Sequence, residues 1–198
     1  GVKLNGNAAY SVIRQNTFWS DSDSADAIQA TQGSYYFIDK NTATMSGQFS
    51  QFVEFSSNMG SHHLISDNNV LMTGPPFLGA GGDTTALALI GTNGNNITVR
   101  NNIFNVTNES AIYVDSSTAG VDIFFINNTW NKTNITFGSS NADVYFQWYL
   151  HVNATDSNGN LVPSANISVY NVTHALQSVN NSDGFSVSRL TVTEYVQN

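Results

Sequence analysis

A pattern of apolar and polar positions recurs five times in the first two-thirds of the chain. Each copy has an apolar residue, two further positions, an asparagine, and a second apolar residue two places after the asparagine. The asparagines are Asn16, Asn41, Asn68, Asn102 and Asn128, at spacings of 25, 27, 34 and 26 residues. Self-similarity at a period of about 20 to 50 residues is typical of a solenoid. This part of the chain is therefore predicted to fold as a repeat structure.

The residues inside the repeat predict strands rather than helices. Short runs of β-branched and aromatic residues alternate with Asn, Gly, Ser and Asp, which is the chemistry of strands and turns. The positions three residues before each asparagine are predicted to form one buried column: Ile13, Ile38, Ile65, Val99 and Phe125. A second strand is predicted in each of the first four repeats, with outward residues Gln29, Glu54, Ala88 and Tyr113.

One asparagine at a fixed place in every repeat is what a stacked turn requires. Asparagine tolerates left-handed backbone geometry. Its amide can also hydrogen-bond the identical amide of the next repeat. We therefore predict an asparagine ladder formed by Asn16, Asn41, Asn68, Asn102 and Asn128.

From about Val2 to Phe137 the chain resembles the right-handed parallel β-helix of pectate-lyase-like proteins and of many surface proteins. The clearest matches are the blocks Asn95–Phe104 and Ala111–Val114. The resemblance implies an all-β fold, with a right-handed parallel β-helix of about five coils over residues 1–140. It says little about activity, because function lies in sites added to such scaffolds. The third repeat departs from the others, since residues 73–83 lengthen it into a predicted loop.

After a short linker at residues 138–142 the pattern changes to antiparallel hairpins. Strands are predicted over residues 144–152, 165–170 and 185–196, separated by turns of the Asx-Gly type. Residues 141–198 resemble the carboxypeptidase-regulatory-like or immunoglobulin-like modules that follow β-helices in archaeal cell-surface glycoproteins. So few strands cannot complete a sandwich of about seven. This β-sandwich is therefore expected to be incomplete, or to be completed by another chain.

Composition narrows the classes of function. Charged residues make up only 10% of the chain, and the net charge is −8 with six basic residues. A basic set this sparse argues against binding to nucleic acid or to an anionic membrane surface. The chain has no cysteine, and no apolar run approaches the about 18 residues of a membrane span. Because it starts without Met and inside a repeat, we expect a processed or excised piece of a longer protein.

Sequons for N-glycosylation are concentrated in the second half of the chain, where chance predicts about 4. The ten sites are Asn96, Asn105, Asn108, Asn127, Asn131, Asn134, Asn153, Asn166, Asn171 and Asn180. One interpretation is that a repeat rich in Asn and Thr generates such tripeptides in its turns. The other is a secreted or cell-surface glycoprotein. The second is favoured because Asn105 and Asn108 follow one ladder asparagine at the spacing at which Asn131 and Asn134 follow the next.

Few residues are candidates for chemistry, and no catalytic residue is assigned. Asp21, Asp23 and Asp26 could hold Ca²⁺, since closely spaced carboxylates suit that ion. A solvated acidic turn is the alternative interpretation. No other cofactor is indicated. For Arg14 and Asp39, which share a register position in neighbouring repeats, a surface ion pair is the simplest interpretation.

Two further motifs are explained by structure at least as well as by ligands. Asp156–Asn160 suggests calcium, yet a hairpin turn accounts for it. His62 and His63 adjoin a strand, so one ring is expected to point inward and one outward, which disfavours paired zinc ligation.

An outward apolar stripe is predicted four residues before each ladder asparagine. Its members are Val12, Phe37, Leu64, Thr98 and Phe124. Such a stripe is typical of an interface. Either a partner or the C-terminal module would cover it.

Two classes of function remain. The first is a non-catalytic structural or adhesive protein of the cell surface, such as a component of an envelope layer, sheath, filament or adhesin. Its partners would be copies of itself or other surface proteins, joined by strand pairing. The second is an extracellular polysaccharide lyase or hydrolase, or a carbohydrate-binding module, on the same scaffold. Sparse charge, dense sequons and the lack of a column of carboxylates favour the first.

Overall fold

Every regular element in the described part of the chain is a β-strand. The computed structural model describes residues 1–5, 9–56, 59–74, 84–90, 96–107, 110–115, 120–131, 135–138, 141–162, 165–170, 176–181 and 187–197. Across these residues no helix is long and apolar enough to cross a membrane. The rest of the loop predicted in the third repeat, residues 75–83, lies outside the described residues.

The strands are numbered β1 to β19 in chain order. Those of the repeat region are β1 Val2–Leu4, β2 Val12–Arg14, β3 Thr17–Ser20, β4 Asp26–Ala30, β5 Phe37–Asp39, β6 Thr42–Met45, β7 Gln51–Phe55, β8 Leu64–Ser66, β9 Asn69–Met72, β10 Thr85–Ile90, β11 Ile97–Arg100, β12 Ile103–Val106, β13 Ile112–Asp115, β14 Asp122–Ile126 and β15 Ile135–Phe137. The remaining four are β16 Asp143–Asn153, β17 Asn166–Tyr170, β18 Leu176–Asn181 and β19 Val187–Gln197.

The strands of the repeat region stack into three parallel sheets. Sheet 1 has the order β1-β4-β7-β10-β13-β15, sheet 2 contains β14-β11-β8-β5-β2, and sheet 3 has the order β12-β9-β6-β3. Each strand pairs with the strand of the same sheet in the next repeat, so that Ile13 faces Ile38 and Ile38 faces Ile65. This all-β arrangement of stacked parallel sheets fits a parallel β-helix.

The core is built from inward-pointing apolar columns. The predicted column of Ile13, Ile38, Ile65, Val99 and Phe125 is buried at every position. In sheet 1, β4 and β7 each bury two consecutive residues, Ala27 with Ile28 and Phe52 with Val53. Strict alternation is broken there, and the residues on either side of the two buried ones are only partly covered.

Two details of sheet 1 differ from the sequence prediction. Ala88 was expected to face outward, yet it is buried. Its methyl group lies in register between Glu54 and Tyr113, whose longer side chains flank it. The sheet also has a strand that the repeat pattern did not predict, β15, which pairs in parallel with β13.

The chain divides into two compact units. The first is Gly1–Val144 with Gln197–Asn198, and the second is Tyr145–Val196. In the first unit the N–H of Asp143 donates to the carbonyl oxygen of Val121 at 2.9 Å. In the second unit β17 and β18 are antiparallel, with Asn166 opposite Asn181. The antiparallel pairing agrees with the hairpin chemistry of this region.

Candidate functional site

The five ladder asparagines are joined side chain to side chain through the repeat region. Nδ2 donates to Oδ1 of the next asparagine from Asn16 to Asn41 at 3.1 Å, Asn41 to Asn68 at 3.0 Å, Asn68 to Asn102 at 2.8 Å and Asn102 to Asn128 at 2.9 Å. The same Oδ1 atoms also accept the backbone N–H of the preceding asparagine, as in Asn41 to Asn68 at 2.9 Å. Asn41, Asn68, Asn102 and Asn128 are buried, whereas Asn16 is exposed.

Each buried ladder asparagine also uses Nδ2 to bond the backbone. It donates to a carbonyl oxygen of the preceding repeat: Asn41 to Ile13, Asn68 to Ile38, Asn102 to Ile65 and Asn128 to Val99, at 2.8–3.0 Å. Buried polar groups cost little when every donor and acceptor is satisfied. The ladder therefore fixes the register of the stack and engages both Nδ2 protons of Asn41, Asn68 and Asn102 within the fold.

The left-handed backbone position is the residue before each ladder asparagine, and not the asparagine itself. Gln15, Lys40, Asp67, Asn101 and Asn127 have φ of 57°, 55°, 55°, 55° and 51°. The prediction that the ladder asparagine itself adopts this geometry was wrong. The ladder amide must point at its neighbours in the stack, so the turn is made one residue earlier. Only the last two positions are filled by Asn, the residue that tolerates φ > 0 best after Gly.

Five of the ten sequon asparagines have described side chains, and all five are exposed: Asn96, Asn105, Asn127, Asn131 and Asn153. Asn127 also donates through Nδ2 to Oδ1 of Asn101 at 3.0 Å. Asn108, Asn134 and Asn171 lie outside the described residues. Asn166 and Asn180 lie in β17 and β18, with their side chains outside the described part.

The three carboxylates suggested for calcium occupy different surroundings. Asp21 and Asp23 are exposed, and Oδ1 of Asp23 accepts the N–H of Gln48 at 2.8 Å. Asp26 is half-buried at the start of β4. Within the described residues, no group of three or more His, Cys, Asp or Glu side chains could hold a metal ion.

Asp26 is instead paired with Glu54 from the neighbouring strand of sheet 1. Burial raises the pKa of Asp26 to about 7, with the charge of Glu54 and a hydrogen bond to Glu54 acting in the same direction and Lys3 opposing them. Gln29 donates to Oε2 of Glu54 at 2.8 Å. Two carboxyl groups that share one proton can donate it to a third group. Glycosidase acid pairs, however, stand about 5 to 9.5 Å apart, which a hydrogen-bonded pair does not.

Alignment of the repeats did not predict this pair, because Asp26 and Glu54 occupy different positions in their strands. Asp26 faces Gln51, whereas Glu54 faces Gln29. Their approach depends on the two consecutive buried residues in each strand, which turn Asp26 and Gln29 toward the same side. In the sequence, the feature that could have indicated the pair is an acidic residue followed by two apolar residues, as in Asp26-Ala27-Ile28.

The two adjacent histidines have separate roles. His63 is buried; its Nδ1 accepts the N–H of Tyr36 at 3.3 Å and its Nε2 donates to the carbonyl oxygen of Gly60 at 2.8 Å. Burial lowers the pKa of His63 to about 4. His62 is exposed and stacks on Tyr35, which stacks on Tyr10, with ring centroids 5.0 and 4.6 Å apart. With both its nitrogens engaged, His63 has no lone pair for a metal.

Arg14 and Asp39 form an ion pair, with 2.8 Å between Nε and Oδ2. Ser66 of the next strand donates to Oδ1 of the same carboxylate at 3.0 Å. Since Arg14 is half-exposed, this pair contributes about 0–1 kcal/mol to stability. Both oxygens of the Asp39 carboxylate therefore have partners within the fold, as expected for a surface ion pair.

The motif at Asp156–Asn160 is a hairpin turn. Oδ1 of Asp156 accepts the N–H groups of Asn158 and Asn160 at 2.8 and 2.9 Å, and Oδ2 accepts Nδ2 of Asn160 at 3.1 Å. The hydrogen bond from the Asn160 side chain, followed by those from the backbone, lowers the pKa of Asp156. The backbone of the turn already satisfies this carboxylate, so calcium is not needed to explain the motif.

The outward apolar stripe lies across sheet 2. Val12, Phe37, Leu64, Thr98 and Phe124 are Cα partners in successive strands. Val12 is 64% exposed and Phe37 40% exposed, while the other three are partly covered. The exposed end of the stripe lies beside the stack of Tyr10, Tyr35 and His62, so apolar surface is concentrated near the first repeats.

The chain matches no family model, no curated protein and no solved structure.

Proposed function

We propose that the protein is a structural or adhesive glycoprotein of the cell surface, part of an envelope layer, sheath, filament or adhesin. In this proposal a right-handed parallel β-helix of about five coils over residues 1–140 precedes an immunoglobulin-like module over residues 141–198. The protein is extracellular and carries N-linked glycans on some of its exposed sequons. It assembles with copies of itself or with other surface proteins through pairing of strands.

The observation that carries the proposal is the way in which the polar side chains of the repeat are used. The buried ladder amides hydrogen-bond one another along the stack. Arg14 and Asp39 form an ion pair, and the Asp156 carboxylate accepts hydrogen bonds from its own turn. Exposed carboxylates such as Asp21 and Asp23 remain on the outside, together with exposed apolar side chains such as Val12 and Trp19. A scaffold whose polar side chains bond one another, and so hold the repeats in register, suits a mechanical or adhesive role.

Assembly is supported by the edges of the sheets. Among the described residues, the strands β1, β2 and β3 each stand at the end of their sheet. Edge strands present unpaired N–H and C=O groups that can pair with another chain. Their outward residues include Val12 and Trp19, which are 64% and 70% exposed, so apolar side chains accompany the open backbone.

Sedimentation of the native protein tests this assembly. We expect species heavier than one chain, and we expect Val12→Lys with Trp19→Lys to return the protein to a monomer, because edge lysines oppose strand addition. Leu71→Lys is the matched control, since Leu71 is also exposed but lies on the central strand β9. A monomer at high concentration, or equal dissociation by the control, would refute assembly through these edges.

A second candidate function is a polysaccharide-active enzyme, and the pair of Asp26 with Glu54 is the observation that favours it. Asp26 is half-buried and its pKa is raised to about 7, so it could act as a general acid, although its contact with Glu54 is closer than the spacing of a glycosidase acid pair. An activity screen on uronate and neutral polysaccharides, with and without Ca²⁺, separates the two functions. Turnover that is lost in Asp26→Asn would favour the enzyme, whereas no turnover on any substrate would leave the structural role.

A further inference from the structure

The outward face of sheet 3 combines hydroxyl and amide groups with exposed apolar side chains. Each of its four strands contributes two outward residues separated by a covered one. The eight are Thr17, Trp19, Thr42, Thr44, Asn69, Leu71, Ile103 and Asn105. None of them is charged, so this face offers hydrogen-bonding and apolar contacts but no ionic ones.

The eight residues form two rows across the strands. One row is Trp19, Thr44, Leu71 and Asn105, and the other is Thr17, Thr42, Asn69 and Ile103. Trp19 is 70% exposed, Ile103 47% and Leu71 36%. A shallow depression of 280 Å³ lies on this face, and its walls include Thr44, Leu71 and Asn105. Exposed apolar side chains grouped in this way call for a covering group.

Asn105 is both a wall of this depression and the acceptor residue of the sequon Asn105-Val106-Thr107. Its side chain is exposed, and its Cα partner on the neighbouring strand, about 4.8 Å away, is Leu71. Ile103 lies two residues earlier on the same face. A sugar attached to Asn105 would therefore begin directly beside both apolar side chains.

A sugar ring suits the chemistry of this face. Its C–H surface packs on apolar and aromatic side chains, and its hydroxyl groups hydrogen-bond the Thr and Asn side chains that lie between them. A neutral saccharide also needs no charged partner. Starting at Asn105, a chain of sugars that follows the row would meet Leu71, then Thr44, then Trp19.

We propose that an N-linked glycan on Asn105 folds back onto sheet 3 and covers Leu71 and Ile103. This inference rests on the proposed function, because it requires an N-glycosylated protein. The sugar donor is an oligosaccharide activated by a lipid phosphate or diphosphate. A bond forms between Nδ2 of Asn105 and the anomeric carbon while the bond from that carbon to the phosphate oxygen breaks. The lipid phosphate or diphosphate leaves with the electron pair, and the amide loses one proton.

The test uses the full chain, glycosylated in its own host. Glycopeptide mapping gives the occupancy of each sequon, and NMR cross-relaxation detects sugar protons close to the methyl groups of Leu71 and Ile103. Asn105→Gln removes this glycan, and Asn153→Gln is the matched control because Asn153 is an exposed sequon on β16. We expect an occupied Asn105, sugar contacts to both methyl groups, and stronger retention of Asn105→Gln than of Asn153→Gln on a hydrophobic column.

Each other outcome has a distinct meaning. Glycans on other sequons with Asn105 unmodified would overturn this inference and leave the proposed function standing. An occupied Asn105 without contacts to Leu71 or Ile103, or with equal retention of the two variants, would overturn the covering role. Absence of glycan from every sequon would overturn the glycoprotein function itself.

Discussion

Replacing Asn68 by Ala tests whether the ladder holds the stack together. Asn68 is 1% exposed, and its side chain makes four hydrogen bonds: to Oδ1 of Asn102, to the carbonyl oxygen of Ile38, and from the backbone and side-chain amides of Asn41. The substitution leaves the Asn41 N–H and one Asn41 Nδ2 proton without partners, and it removes the bond to the Ile38 carbonyl oxygen. Oδ1 of Asn102 keeps one bond, from the Asn68 backbone N–H.

The expected cost follows from these orphaned groups. A buried polar group without a partner costs about 1–3 kcal/mol, so two of them lower the free energy of unfolding by at least about 2 kcal/mol. Asn16→Ala is the matched control at the exposed end of the same ladder. It removes the bonds from Nδ2 to Asn41 and to Arg14, and water can replace both. We expect the control to cost less than about 1 kcal/mol.

Amide hydrogen exchange is the suitable assay, because two compact units need not unfold in one two-state transition. The slowest amides of β5 and β8 report the free energy of opening of the stack, and the N–H of Asn41 reports the lost bond directly. Asn69→Ala, at the next and exposed position, controls for a local change in the turn. If Asn68→Ala costs no more than Asn16→Ala, the ladder does not hold the register.

Phe125→Ala should lower the free energy of unfolding by about 3–5 kcal/mol, because it leaves a cavity in the core. Phe37 is 40% exposed, so Phe37→Ala should cost less than about 1 kcal/mol. Equal costs of the two substitutions in denaturation would contradict the buried column. Because the pKa of His63 is lowered from 6.5 to about 4, its contribution to stability is complete above pH 6.5 and falls by about 3 kcal/mol as the pH drops to about 4. His63→Phe should flatten that part of the pH–stability curve, and an unchanged slope would refute this. The raised pKa of Asp26 acts in the opposite sense, since its stabilisation is present below pH 3.8 and is lost as the pH rises toward about 7. Asp26→Asn should therefore raise the melting temperature relative to the natural chain above pH 7 but not at pH 4, and no difference between the two pH values would count against the shared proton.

Several elements of the fold could be predicted because they follow from strict periodicity. Ile38, Ile65 and Val99 stand at a fixed distance from their asparagines, so one alignment of the repeats identifies both the buried column and the stacked amides. The left-handed position could not be assigned in this way. Its residues include Gln15 and Lys40, whose side chains give no sign of positive φ.

The candidate site was less predictable, because it depends on departures from the period. Asp26 reaches Glu54 only because Ala27 and Ile28 are both buried, which alternation does not foresee. Ala88 is buried because the longer side chains of its neighbours in the sheet, such as Glu54, flank its small methyl group. Such features are set by the packing of side chains between strands, and single-strand patterns carry little information on it.

The most direct test of the proposed function is a glycopeptide map of the protein purified from its own host. We expect N-linked glycan on at least one of the exposed sequons Asn96, Asn105, Asn127, Asn131 and Asn153. Because these five side chains are open to solvent, none is protected from modification by burial in the fold. A map that covers all ten sequons and finds every asparagine unmodified would contradict a cell-surface glycoprotein.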